Sequence, residues 1–226
     1  MLAAAFLVTV VVALGGYHLL IERPRRIQLG GQPGGVRTGP VPLTEWVASV
    51  PDGVFLQNGF TWSRVVPDGT VEVGVHPMLQ RLIGDQTRYS LAETGRHVDR
   101  GDPILEIGTG VNSARVRAPL SGRITARNRF VSGFLSNREP DSLNNAWLYR
   151  MQPDDLSQEV PSWMIGTPAT DWSHDRYGRI REYLQRAVAD GETGLALADG
   201  GEVPVGALAS LDARAWSEFE ARFLTN

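Results

Sequence analysis

Two residue types are absent from this sequence of 226 residues, lysine and cysteine, and each absence excludes a class of chemistry. Without cysteine there is no disulfide, no thiolate nucleophile and no cysteine-ligated metal site. Without lysine there is no phosphate-binding loop of the Gly-Lys-Ser/Thr type; all 22 basic residues are arginine. The formal net charge is −3, so no bulk basic character argues for nucleic-acid binding, and we expect no nucleic-acid partner.

Catalytic and metal-binding patterns are also missing. The four histidines are scattered along the chain, at His18, His76, His97 and His174. No two of them have the i, i+4 spacing that is typical of a zinc site. No serine lies in a Gly-x-Ser-x-Gly elbow, so a hydrolase is unsupported. We therefore predict no catalytic residues, no metal site and no enzyme activity.

The chain does contain a long apolar run at its start. Residues 2–21 include no Asp, Glu, Lys or Arg, and a helix of this length spans roughly 30 Å, the thickness of a bilayer core. Arg23, Arg25 and Arg26 follow directly, and no basic residue precedes the run. The positive-inside rule then predicts an inner (cytoplasmic) membrane anchor over residues 1–26, single-pass, with the C-terminal body in the cytoplasm. Lipid would be contacted through the apolar run, and a cleaved signal peptide is the alternative.

A Gly- and Pro-rich linker comes next, within a joining segment predicted over residues 27–58. Residues 28–42 have almost no apolar side chains, so burial cannot offset the entropy of ordering them. Residues 43–58 form a lead-in that includes Trp46 and Phe55. The sequence therefore predicts that the body of the protein is tethered to its anchor.

Alternating apolar and polar residues predict a mainly β domain over residues 59–160. Residues 61–66 and 71–75 alternate on either side of Pro67-Asp68-Gly69-Thr70, which is typical of a β-hairpin. A short helix is predicted over residues 76–85, with proline in its first turn and glycine near its end.

A second predicted hairpin occupies the middle of this domain. Ile104, Leu105 and Ile107 supply the apolar residues of its first strand, and residues 114–118 alternate in its second. The reversal between the two strands, residues 108–113, contains two glycines, which reach positive φ without a steric penalty.

The C-terminal part, residues 161–226, is predicted to be a small α+β appendage. Four apolar residues at helical spacing after Asp175 indicate an amphipathic helix: Tyr177, Ile180, Leu184 and Val188. Residues 195–205 are interpreted as a small hairpin. A last helix is indicated by a capping residue, Ser210 or Asp212, and by an apolar face of Trp216, Phe219 and Phe223.

Short motifs follow one another in a characteristic order between Phe60 and Pro153. They include Trp62, Leu82-Ile83-Gly84-Asp85, Val98-Asp99-Arg100-Gly101-Asp102 and Ala118-Pro119-Leu120-Ser121-Gly122. A strand, a tight turn, a strand and the Ala-Pro-Leu-Ser-Gly segment resemble a lipoyl or biotinyl carrier domain. The longer match resembles the H protein of the glycine cleavage system. That resemblance implies a barrel-sandwich hybrid fold for this domain.

The same resemblance implies where a cofactor would be attached. In the family, the hairpin tip carries a lysine whose ε-amine forms an amide with lipoic acid. Here Gly108-Thr109-Gly110-Val111-Asn112 stands where the family has Glu-Ser-Val-Lys-Ala, so Val111 occupies the former lipoyl-attachment position. An arginine cannot replace the amine, because its guanidinium stays protonated. We therefore expect a carrier scaffold that holds no cofactor.

These features lead to a hypothesis for the function. The protein is a non-catalytic, membrane-anchored, H-protein-like subunit that serves as a structural or docking component of a membrane-associated complex. Four residues near the tip are candidates for facing a protein partner: Thr109, Asn112, Arg115 and Arg117. One alternative is a periplasmic adaptor of a transport system, which needs the opposite orientation and a long helical hairpin between its sandwich halves. The others are an H protein of the glycine cleavage type and a carrier that attaches its group to a residue other than lysine.

Overall fold

The computed structural model describes residue 50 and residues 52–84, 87–109, 111–128, 146–189 and 203–225. The chain divides into two units, Met1–Gly39 and Pro40–Asn226, and every described residue belongs to the second. The anchor predicted over residues 2–21 lies outside the described residues. Within the described ranges, no helix is both long and apolar enough to cross a membrane.

Nine strands are present in the described residues, and they form two antiparallel sheets. The strands are β1 (Phe55–Gln57), β2 (Thr61–Val65), β3 (Val71–Val75), β4 (Arg88–Leu91), β5 (His97–Val98), β6 (Pro103–Gly108), β7 (Ser113–Arg117), β8 (Gly122–Arg127) and β9 (Tyr149–Pro153). The larger sheet has the order β1-β2-β3-β9-β8-β5, and the smaller sheet has the order β4-β6-β7. The part of the chain that resembles a carrier domain is therefore mainly β.

The β2–β3 hairpin forms where the sequence predicts it. Its turn is closed by a 2.9 Å hydrogen bond from the Val66 N–H to the Thr70 carbonyl. Gly69 has a φ of 82°, a left-handed conformation that favours glycine. The Asp68 carboxylate accepts a hydrogen bond from the Thr70 N–H at 2.9 Å, which is the turn chemistry expected of aspartate.

The described chain contains four α-helices, one between β3 and β4 and three after β9. They are α1 (Pro77–Ile83), α2 (Leu156–Glu159), α3 (Thr167–Ala189) and α4 (Ala213–Phe219), with 3₁₀ segments at Val160–Ser162 and Ala207–Ser210 and a π-helical turn at Glu220–Leu224. Asp212, one of the two predicted capping residues, caps α4: its Oδ1 accepts a hydrogen bond from the Ala215 N–H at 2.8 Å.

Helix α3 begins earlier than its apolar spacing predicts. The spacing indicates a helix after Asp175, whereas α3 starts at Thr167. The additional turns carry Trp172, whose ring centroid lies 5.3 Å from that of Phe60 and 5.8 Å from that of His76. Packing against the β domain stabilises these turns, and helical periodicity alone does not report such packing.

The β-sheets and the C-terminal helices share one hydrophobic core. We call residues 167–189 and 203–225 the C-terminal module. Its fully buried residues include Ile180, Leu184, Phe219 and Leu224, which join the same cluster as the sheet residues Ile107 and Val116. Of the hairpin predicted over residues 195–205, only residues 203–205 are described, and they form no strand. The described part of the module is therefore helical.

A buried histidine, His76, makes the stability of this packing dependent on pH. The Nδ1 atom of His76 caps α1 by accepting a hydrogen bond from the Met78 N–H at 3.2 Å. The ring lies among aromatic neighbours and is removed from solvent. Burial lowers the pKa of His76 from 6.5 to about 4, because a charged ring would lose its hydration.

We expect the free energy of unfolding to fall as the pH decreases from about 6.5 to about 4. The unfolded chain binds a proton at His76 near pH 6.5, whereas the folded protein binds it only near pH 4. Stability that is complete above the unfolded pKa is therefore lost through this window, by up to about 3 kcal/mol. Urea unfolding at several pH values measures the loss. His76→Asn keeps a capping acceptor but does not titrate, so its pH dependence should be shallower; an equal slope would contradict the assignment.

Candidate functional site

The β6–β7 hairpin forms a closed and tightly built tip. The Thr109 N–H donates a hydrogen bond to the Asn112 carbonyl at 3.0 Å, which closes the turn. Gly108 pairs with Ser113 where the two strands approach the tip. A Cβ placed at Gly108 would lie 2.2 Å from the Asn112 carbonyl oxygen, so only glycine fits there without a backbone shift. The predicted reversal is present, and its shape depends on this glycine.

Val111 lies at this tip with its side chain in solvent. Its surface is 91% exposed, the largest value among the exposed large hydrophobic residues of the described chain. An isopropyl group offers neither a nucleophile nor a hydrogen bond. The Val111 side chain therefore presents an apolar contact and no amine.

The C-terminal module covers the free edge of the hairpin. Among the described strands, β7 pairs only with β6, so one of its edges has no described strand beside it. The Glu220 carboxylate accepts hydrogen bonds from the Arg115 N–H at 3.1 Å and from Arg115 Nε at 3.0 Å. Asn112 Nδ2 donates to the Leu211 carbonyl at 3.1 Å. Backbone groups at a sheet edge invite pairing with another chain, and here the protein's own C-terminal module covers part of that edge.

The other two candidate residues are placed differently. Thr109 lies in the turn itself. Arg117 lies at the opposite end of β7, where its Nη1 donates to the Gly101 carbonyl at 2.9 Å. The structure thus brings Thr109 and Asn112 together with Val111 at the tip, places Arg115 against the module, and leaves Arg117 near the base of the hairpin.

A cavity of about 360 Å³ opens beside the tip. It is lined by Arg88, Tyr89 and Ser90 of β4 and by Glu106, Gly108, Val111, Asn112 and Ser113 of the hairpin. Burial raises the pKa of Tyr89 well above its usual range, so its phenol stays neutral. The Ser113 hydroxyl donates to the Glu106 carboxylate. Arg88 is exposed, and the described residues provide its side chain with no hydrogen bond or ion pair.

Neither Arg88 nor Glu220 is among the residues predicted from the sequence. Glu220 lies 105 residues from Arg115, and no local pattern reports a contact over that separation. The sequence indicates only that Arg88 is exposed, because the Arg-Tyr-Ser-Leu alternation of β4 places it on the exposed face of the strand. Only the register of β4 against β6 shows that this face lies beside the tip.

We expect Glu220→Gln to loosen the hairpin edge. The amide is a weaker acceptor than the carboxylate, and it removes the charge that attracts the Arg115 guanidinium. Because the Arg115 side chain is 61% exposed, the loss of stability should be only about 1 kcal/mol. Hydrogen exchange of the backbone amides of residues 113–117 should become faster. Glu218→Gln is the matched control, since the ion pair that the described residues give Glu218 is local, with Arg222. Equal exchange in the two variants would contradict this role of Glu220.

Comparison with known proteins identifies what this chain is similar to. The family model described as "Glycine cleavage H-protein" matches residues 55–170. The glycine cleavage system H protein of Methylococcus capsulatus is 32% identical over 112 residues, which cover 50% of this chain and 87% of that protein. The probable glycine cleavage system H protein of Pyrococcus horikoshii is 29% identical over 119 residues, which cover 51% of this chain and 85% of that protein.

A solved structure gives a further comparison. The crystal structure of a glycine cleavage system H protein from Mycobacterium marinum aligns with a TM-score of 0.40 and 23% identity, covering 50% of this chain and 97% of that one. The family match ends at residue 170, so most of the C-terminal module, including Leu211 and Glu220, lies beyond it.

Proposed function

This chain belongs to the glycine cleavage H-protein family, and from that premise we propose that it is a non-catalytic member that binds other proteins and carries no lipoyl group. It serves as a structural or docking subunit of a membrane-associated complex. Residues 2–21 anchor it in the inner (cytoplasmic) membrane by a single pass, and its C-terminal body lies in the cytoplasm.

One observation carries this proposal: the hairpin tip is intact, but it ends in Val111. Attachment of lipoate through an amide needs a primary amine, and the chain has no lysine at the tip or elsewhere. What remains is a hairpin with an exposed apolar side chain at its end. Such a surface suits binding to another protein and does not suit transfer of a group.

The C-terminal module supports the same function. Glu220 and Leu211 bind the hairpin from a part of the chain that the family match does not include. A hairpin held in this way along one edge presents a fixed surface. Pre-organisation of this kind favours binding, because less entropy is lost when a partner docks.

The carrier alternative follows from the printed names of the relatives, which are glycine cleavage system H proteins. It requires an amine that this chain lacks. The periplasmic adaptor alternative requires a long helical insertion between the sandwich halves, whereas only residues 109–112 separate β6 from β7. Both alternatives are therefore less well supported than a docking subunit.

Intact mass after incubation with lipoate ligase, lipoate and ATP tests the absence of a carrier function. We expect the mass of the purified protein to stay unchanged, while a lysine-bearing H protein gains one lipoyl group in the same reaction. A lipoyl adduct on this protein would refute the proposal.

Membrane extraction and native electrophoresis test the docking function. The protein should remain with the inner membrane after an alkaline wash and should migrate in an assembly larger than the single chain. A reporter fused after Asn226 checks the orientation, since a cytoplasmic body gives no periplasmic reporter activity. A solitary monomer, or periplasmic activity, would contradict the corresponding part of the proposal.

A further inference from the structure

On the premise that the protein is a docking subunit, we propose that its partner binds at a surface formed by Val111, Arg88 and Ser90, which we call the tip surface. The partner is a protein that accepts Val111 in an apolar pocket. One acidic side chain of the same partner enters the cavity beside the tip, where its carboxylate pairs with Arg88.

Among the charged side chains around the tip, Arg88 is the one that makes no hydrogen bond or ion pair with the described residues. Asn112 donates to Leu211, Arg115 is held by Glu220, and the Ser113 hydroxyl donates to Glu106. Arg88 makes no such contact within the described part of the chain. A guanidinium presents a planar set of donors that matches a carboxylate in two parallel hydrogen bonds.

The strand register places Arg88 at the wall of a cavity that can hold that carboxylate. Arg88 stands directly opposite Gly108 on β6, and Ser113 stands opposite the same glycine on the other side. The Asn112 carbonyl and Ser113 fill the position that a Gly108 side chain would take. The cavity of about 360 Å³ lies beside this cross-strand row, with Ser90 in its wall as a further donor.

Charge favours a protein over a lipid surface as the occupant. Glu106 lines the same cavity as Arg88, so a dense layer of anionic headgroups would meet a carboxylate as well as a guanidinium. The whole chain also carries a formal charge of −3. A folded partner can place a single carboxylate at Arg88 and a hydrogen-bond donor at Glu106, which a lipid layer cannot do selectively.

Val111 adds affinity to this electrostatic recognition. A single exposed valine is ordinary on a protein surface, but this one is 91% exposed and lies at the edge of a cavity. Removing its side chain from water should strengthen binding by at least about ten-fold.

Photo-crosslinking in cells tests the tip surface. A benzoylphenylalanine replaces Thr109, which lies in the turn outside the cavity wall and leaves Val111, Arg88 and Ser90 in place. A second chain carries it at Val205, another exposed valine. We expect a protein adduct of one defined mass from position 109 and not from position 205. Val111→Asp and Arg88→Glu should each reduce its yield by at least about ten-fold, Arg88→Lys should reduce it less, and Arg181→Glu on the exposed face of α3 should leave it unchanged.

The other outcomes of these experiments test the tip surface and the docking function separately. An adduct that is insensitive to the Val111 and Arg88 substitutions, one with lipid, or one of twice the chain mass overturns the proposal. An intact assembly on native electrophoresis with no adduct at position 109 overturns the tip surface but leaves the docking function standing. A solitary monomer refutes the docking function itself. Thermal unfolding of each purified variant confirms that these exposed substitutions leave the fold intact.

Discussion

Val111→Lys is expected to convert this protein from a chain that lipoate ligase leaves unmodified into one that gains a single lipoyl group. The hairpin that presents residue 111 is closed by the Thr109–Asn112 hydrogen bond and is held along its edge by Glu220. Residue 111 is 91% exposed, so a lysine there would project into solvent with its amine accessible. Intact mass spectrometry before and after the reaction measures the change from none to one group per chain.

A second lysine variant tests whether lipoylation depends on the position of the lysine or only on its presence. Val205→Lys places a lysine at another exposed valine, outside the hairpin, and should gain nothing. If Val111→Lys also stays unmodified, then the scaffold differs from a carrier in more than one residue, and the proposal that Val111 alone prevents lipoylation is wrong. Glu220→Gln combined with Val111→Lys would then show whether the C-terminal module is the obstacle.

Phe219→Ala is expected to destabilise the whole protein by about 3–5 kcal/mol. The Phe219 ring is fully buried, and its centroid lies 4.9 Å from that of Phe223 and 6.1 Å from that of Tyr183. Removing it leaves a cavity in the core that the C-terminal module shares with the sheets. Urea unfolding followed by tryptophan fluorescence and by circular dichroism measures the change.

The two probes should report one coincident transition in both the wild-type protein and the variant. A shared core makes unfolding of the module and of the sheets a single event. Ile165→Ala is the control for a substitution at a half-exposed site, and its effect should stay within about 0.5 kcal/mol. Two separate transitions, with only the helical one shifted by Phe219→Ala, would show that the module is an independent domain.

The sequence predicts well those elements that depend on residues close together in the chain. Alternation and turn chemistry indicate the β2–β3 and β6–β7 hairpins, and Asp212 at the start of α4 follows from ordinary capping. Position 111 at the tip follows from the family pattern. Helix α3 is predicted too short, because Trp172 stabilises its first turns by contacts with residues that are distant in sequence.

Residue identity and short-range order are enough to place this chain in the H-protein family and to show that it contains no lysine. The contact of Glu220 with the hairpin edge and the position of Arg88 at a cavity beside the tip follow only from the tertiary structure. The physical reason is that such contacts depend on strand register and on packing between distant segments, which local propensity does not encode.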